Sequence, residues 1–204
     1  MIITDTHTHL YSDAFDDDRT EMMQRAIDAN VKRFFIPAID STYTEAMLQL
    51  EKDFPEYVFL MMGLHPTSVK ENYKEELKHV EDFLKNRKFC AIGEIGIDLY
   101  WDFHCFTGDL EQAKQAISYN MKLGIGGVVT FKNGKIDQYI NQIDLKHIVL
   151  ETDSPYLAPK PFRGKRNESA YVTKVLEKLS ELYNLSEEEI ATITTENSKA
   201  IFGI

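Results

Sequence analysis

Short apolar runs alternate with amphipathic stretches along most of this chain. MIITDTHTHL, KRFFIPAID and YVFLMMGLHP are near-continuous apolar segments of strand length, and helical patterns follow them at about residues 18–29, 42–53 and 75–86. In the third of these helices Leu77, Val80 and Leu84 recur at i, i+3 and i+7, which predicts an apolar stripe on one face. AIGEIGID is a fourth strand. Further on, DLEQAKQAISY opens with Asp109 and Gln112 at capping-box spacing, LGIGGVVTF reads as a strand, and HIVLETDSP as the last one. Helices are predicted over residues 170–183 and 186–200, the second begun by a Ser186/Glu189 capping box. Continuous apolar strands separated by amphipathic helices mean βαβ units, so the predicted class is α/β with a parallel sheet.

One junction breaks the alternation. In GEIGIDLYWDFHCFTG a strand end carrying Glu94 and another carrying His104 are separated only by residues 99–102. Parallel neighbours need a crossover of roughly a dozen residues or more.

The strand-like runs also share an ending. MIITDTHTHL, MMGLHP, AIGEIGID, FHCF and LETDSP each finish in His, Asp or Glu. In a parallel barrel such ends open on one face, the face on which barrel enzymes build their active sites. His7 and His9, two apart on a strand, present both imidazoles on the same side, the arrangement of a pair that grips one metal ion; the other use is as surface or helix-capping histidines. Asp5 and Thr8 are then candidates for orienting those rings. Glu94 is set among Ile92, Ile95 and Ile97 with no cation nearby in sequence. A buried carboxylate needs an ion-pair partner or a metal, and metal is the better reading here. Asp153 lies two residues beyond Glu151 and reads as a ligand or general base, beyond the Asx turn that Pro155 invites. His104 is a core-type histidine apart from its place at a strand end. His65, in GLHP, is a turn residue well placed to meet substrate, whereas His79 and His147 read as surface positions.

Composition narrows the chemistry. At 204 residues and 43% hydrophobic, the chain supports one substantial core, hence a single domain over residues 1–204. A formal charge of −10 leaves no broad basic field for nucleic acid, so a phosphate substrate would depend on metal ions or a few placed cations. The one basic cluster is PKPFRGKRNE, where Lys160, Arg163, Lys165 and Arg166 follow the Asp153 strand; it is either a solvated loop or a set of contacts to phosphate oxygens. Cys90 and Cys105 are too sparse for a disulfide scaffold and suit a reducing cytosol. Asp5, His7 and His9 stand where a secretory leader has its apolar segment, and YVFLMMGL falls far short of the ~18 residues of a membrane span. These features predict a soluble, cytoplasmic protein with no membrane partner.

With DTHTHL, GLHP, GEIGID, FHCFTG, ETDSPYLAP and RGKRNE in this order, the chain resembles the TatD family of metal-dependent deoxyribonucleases, within the amidohydrolase superfamily, over residues 1–102 and 103–204. The resemblance implies a TIM-barrel-type metallo-dependent hydrolase, one or two divalent metal ions (Mg, Mn or Zn), and hydrolysis of DNA phosphodiesters, often from a 3′ end. Carried over by motif, His7, His9, Glu94 and Asp153 hold the first metal, Glu94 and His104 reach the second, and His65 lines the substrate pocket. Between GEIGIDLYWD and FHCFTG the family also has a helix, a strand ending in an IHxR-like motif whose histidine binds the second metal, and another helix. This sequence lacks that block and is roughly 50 residues short of the ~250 of its barrel class. The expectation is an incomplete barrel of about seven strands, open or distorted at the junction, in a monomer or an element-exchanged homodimer. The expected activity is cleavage of DNA or a nucleotide substrate, with Asp153 orienting or deprotonating the water and Arg163 and Lys165 meeting phosphate. The alternative is an impaired remnant that folds and binds metal or a partner without turnover.

Overall fold

The computed structural model describes residues 1–95 and 105–204; the core of the junction, with Asp98 and His104, lies outside the described residues. Strands β1 (Ile3–Asp5), β2 (Val31–Ile36), β3 (Val58–Met62) and β4 (Ala91–Ile92) form a parallel sheet in that order, and β5 (Leu123–Ile125) and β6 (Ile148–Leu150) form a parallel pair. Thr6 N–H donates to Leu150 O at 2.9 Å and Asp153 N–H to His7 O at 2.9 Å, which joins β1 to β6. The strands therefore run β4-β3-β2-β1-β6-β5 around one arc of a TIM-type barrel. Among the described residues no ladder closes the ring between β4 and β5.

Six strands are formed among the described residues, against about seven expected. Cys105 is in a turn, and Phe106, although its N–H bonds to Gly124 O at 2.9 Å, belongs to no strand. LGIGGVVTF is likewise a strand only as far as Ile125; residues Gly127–Thr130 turn into a 3-10 helix. Close packing explains the break, since a Cβ on Gly127 would lie 2.2 Å from the Leu157 carbonyl oxygen, in the loop after β6.

The apolar runs are strands because both of their faces are covered. Phe34, Phe35 and Ile36 of β2 are all 0% exposed. Phe34 pairs with Val58 and Ile36 with Leu60 in register, and these side chains join the helix-facing core with Met22 and Met23 of α1 (Arg19–Asp28), Met47 and Leu50 of α2 (Thr44–Asp53), Leu176 and Leu179 of α5 (Val172–Tyr183) and Ile190 of α6 (Glu187–Phe202). Phe35 alternates to the other face, where it stacks on Phe59 at 5.2 Å and on Phe202 at 3.8 Å between ring centroids. Both predicted capping boxes form, at Asp109/Gln112 on α4 (Leu110–Ser118) and at Ser186/Glu189 on α6. Of the stripe predicted on α3 (Tyr73–Asn86) only Val80 packs on the core, together with Phe83, while Leu77 is 51% and Leu84 38% exposed. Buried Glu76 sets that rotation by accepting the N–H and hydroxyl of Ser41, both at 2.9 Å.

Candidate metal centre

Among the described residues, the candidate ligands His7, His9, Glu94 and Asp153 lie two to four residues past the C-terminal end of a strand. His7 and His9 follow β1 and are not within it. Their backbone bends at His7 and is held between both neighbours, with Thr6 N–H bonded to Leu150 O, Thr8 N–H to Phe35 O (3.2 Å) and His9 N–H to Ser154 O (2.8 Å). The two Nε2 atoms meet 3.2 Å apart. Glu94 follows β4, held by its N–H to Ala38 O at 3.2 Å. Gly63 at the end of β3 makes room for it, since a Cβ there would lie 2.6 Å from Glu94 O. Asp153 follows β6 with φ at 55°, a left-handed conformation that turns its carboxylate back toward the histidines.

Four side chains converge as a result. Glu94 Oε2 is 3.4 Å from His7 Nε2 and 3.9 Å from His9 Nε2, and Asp153 Oδ1 is 3.9 Å and 3.6 Å from the same two atoms. All four side chains are largely buried. Donor atoms that share one ion at about 2.0–2.2 Å stand roughly 3–4 Å from one another, which is the spacing found here. Among the described residues, His7, His9 and Glu94 bring their ligand atoms within 4.8 Å of one another. Two imidazole nitrogens facing each other at 3.2 Å also repel unless a proton or a cation lies between them. His7, His9 and Glu94 fit a divalent metal ion, and Asp153 stands beside them.

Neighbouring groups hold these ligands in place. His65, after β3, accepts the Thr67 N–H on Nδ1 at 3.0 Å and sets Nε2 3.1 Å from Glu94 Oε1. The structure therefore places His65 against a ligand, at the partly open edge of the site. His9 Nδ1 meets the Tyr11 hydroxyl at 2.9 Å. Burial, followed by the charge of Glu94, holds the Tyr11 phenol well above its usual pKa. Asp5 accepts hydrogen bonds from Thr152 N–H (2.9 Å), the Thr152 hydroxyl (2.6 Å) and the Ser169 hydroxyl (2.5 Å), clamping β1 to the end of β6. Burial pushes its carboxyl up to about 7 against those hydrogen bonds. Thr8 meets Ser169 at 3.3 Å. Glu151 turns to the β5 side, where it accepts the Cys105 N–H.

Beside the ligands lies a cleft of about 1750 Å³, which reaches Asp153 and is lined by Lys132, Lys135, Lys160 and Arg163. The Arg163 guanidinium lies 3.7 Å over the Phe131 ring. Lys165 is exposed and does not line this cleft. Arg166 is bound to Asp18 at 2.6 and 2.9 Å and stacks over Phe15, so it fastens the loop to the body of the molecule. Sequence reasoning singled out neither Lys132 nor Lys135, although the run FKNGK after an apolar segment was a visible signal. Tyr11 was passed over too, despite continuing the period-two series of His7 and His9.

A barrel arc with two histidines and two carboxylates on its C-terminal rim defines a metal-dependent hydrolase of the barrel type. The chain belongs to the TatD related DNase family, whose model matches residues 4–102 and 103–203, with its break inside the junction. It is 32% identical to the uncharacterized metal-dependent hydrolase YabD of Bacillus subtilis, covering all of both chains over 256 aligned positions, though this chain has 204 residues. It is 24% identical to the uncharacterized metal-dependent hydrolase YjjV of Escherichia coli, covering 98% of this chain and 97% of YjjV. The crystal structure of YjjV superimposes with a TM-score of 0.90 over 99% of this chain and 98% of that one. A TatD family hydrolase from Entamoeba histolytica matches at 0.83, with 16% identity and coverage of 99% and 98%.

Proposed function

We propose that this hydrolase cleaves phosphodiester bonds of DNA. The supporting observation is the distribution of charge: in a chain of net charge −10, four cations line the cleft that reaches Asp153. His7, His9, Glu94 and Asp153 would hold a divalent ion, which would supply a bound water of lowered pKa and screening of phosphate charge. Asp153, on its left-handed turn, has a carboxylate available to orient the attacking water and accept its proton. Arg163, held flat on Phe131, presents N–H groups for bidentate contact with phosphate oxygens, and Lys132, Lys135 and Lys160 add point charges along the cleft. His65 donates to Glu94 and keeps that carboxylate turned to the site. The test is cleavage of a short end-labelled DNA with Mg²⁺ or Mn²⁺, and the expected result is metal-dependent shortening by the wild type and none by Glu94→Ala.

A second reading is an impaired remnant that binds metal without turnover. It is favoured by the break of the family match at residues 102 and 103 and by the 256 aligned positions of the relative against 204 residues here. Retained Mn²⁺ binding with no cleavage of DNA or of a simple phosphodiester ester would select it.

A further inference from the structure

Tyr11 ligates nothing, yet it is 1% exposed and its hydroxyl stands between two fixed groups. On one side the Pro37 carbonyl oxygen is 2.8 Å away; on the other is His9 Nδ1, at 2.9 Å. A carbonyl can only accept, and the phenol has a single proton to give. With the proton directed to Pro37, the phenolic oxygen must accept, and the only donor His9 can offer it is Nδ1–H. A neutral imidazole protonated on Nδ1 has its lone pair on Nε2, the atom 3.6 Å from Asp153 Oδ1 and 3.2 Å from His7 Nε2.

We infer that Tyr11 is a positioning residue of the metal centre, which compels His9 to carry its proton on Nδ1 and to present an unprotonated Nε2 to the ion. The inference rests on reading the cluster as a divalent-cation site. Three features make the device rigid. Pro37 directly follows β2, and its neighbour Ala38 is bonded to both sides of the Gly93–Glu94 link, so the acceptor of the Tyr11 proton is tied to the backbone that carries Glu94. The Tyr43 ring packs on Tyr11 at 5.4 Å. The His9 and Tyr11 rings meet nearly perpendicular, at 88°, which aims the hydroxyl at the edge of the imidazole. A neutral hydroxyl in this place also has an electrostatic consequence. Two neutral imidazoles with the Glu94 and Asp153 carboxylates carry a charge of −2, which a divalent ion cancels; a carboxylate at position 11 would add a third negative charge.

The experiment combines long-range ¹H–¹⁵N spectra of the histidines in the metal-free protein with Zn²⁺ affinity by chelator competition, for the wild type, Tyr11→Phe and Tyr43→Phe. The expected wild-type spectrum shows His9 protonated on Nδ1. Tyr11→Phe is expected to populate the other tautomer and to bind Zn²⁺ about 10–100-fold more weakly, whereas Tyr43→Phe, which keeps the ring that packs on Tyr11, leaves both unchanged. Protonation of wild-type His9 on Nε2 overturns the inference, and this holds even where the variant does not fold. So does a loss of affinity in Tyr11→Phe with the tautomer unchanged, which would assign the effect to packing. Unaltered affinity in Tyr11→Phe overturns the inference alone, whereas failure of the wild type to bind Zn²⁺ overturns the metal reading together with it.

Discussion

His65 Nδ1 is taken by the Thr67 N–H, so the proton of its neutral ring sits on Nε2 and is donated to Glu94 Oε1 at 3.1 Å. Replacing His65 by Asn is therefore expected to weaken Mn²⁺ binding by about 10–100-fold, the usual effect of removing a group that orients a ligand, with the fold intact by circular dichroism. Isothermal titration measures it, and an unchanged affinity would show that Glu94 needs no such support. Glu94→Ala is expected to lose more than His65→Asn in the same titration, because it removes a donor and not the group that steadies one. The ligand types themselves were legible in sequence: an HxH pair, a glutamate among isoleucines and an aspartate closing an apolar run. The roles of Tyr11 and Thr67 were not, since a tautomer is decided by hydrogen-bond partners such as Pro37 O that are remote in sequence.

At the scale of elements, strands and helices followed hydrophobic period closely wherever local chemistry and packing agreed. The Ser186/Glu189 box is such a case: Ser186 Oγ accepts the Glu189 N–H at 3.2 Å, and Glu189 accepts the Ser186 N–H at 2.8 Å. It begins α6, whose Asn197 amide donates to Leu145 O and Ile148 O at 2.7 Å each, at the start of β6. Ser186→Ala should cost about 1 kcal/mol in urea unfolding with no change in metal affinity, because the cap is remote from the rim. Period alone failed at LGIGGVVTF and at the α3 stripe. In the first, Gly127 yields to the backbone of the loop after β6; in the second, Glu76 outranks two leucines by anchoring the helix to Ser41. Both outcomes depend on contacts across the fold that a sequence window does not contain.

Across the whole molecule, charge divides into a structural tie and an open cleft. Asp18 accepts Arg166 at 2.6 and 2.9 Å and Arg25 at 2.8 Å, and Arg25 also holds Glu168 at 2.7 and 3.0 Å. These hydrogen bonds, Arg166 first, hold the Asp18 carboxyl well below the usual carboxylate range. A folded-state pKa below the unfolded value of about 3.9 means that the tie stabilises fully above that pH and is lost as pH falls toward the depressed value. Asp18→Asn should accordingly unfold at lower urea than the wild type at pH 7, with the difference shrinking at pH 3; an equal difference at both would refute the ion-pair account. In the cleft, the double variant Lys132→Ala/Lys135→Ala is expected to raise KM for an oligonucleotide more than it lowers kcat. It should also flatten the salt dependence of binding by about 0.7 per lost single-strand phosphate contact. Equal salt slopes by fluorescence anisotropy would show that these lysines do not meet the strand.

The sequence by itself determined the α/β alternation, the direction of the strands and which strand ends carry His, Asp or Glu, because each follows from period, burial and the single sense of a βαβ chain. Tertiary structure alone decided that β1 joins β6 while the described strands leave the arc unclosed between β4 and β5. It also decided that Arg166 is a fastening and Arg163 a wall of the cleft, and that His9 turns Nε2 toward His7 and Asp153. These depend on which backbone carbonyls and guanidinium partners are brought within 3 Å of one another, and the curl of the strand arc sets those distances where sequence spacing cannot.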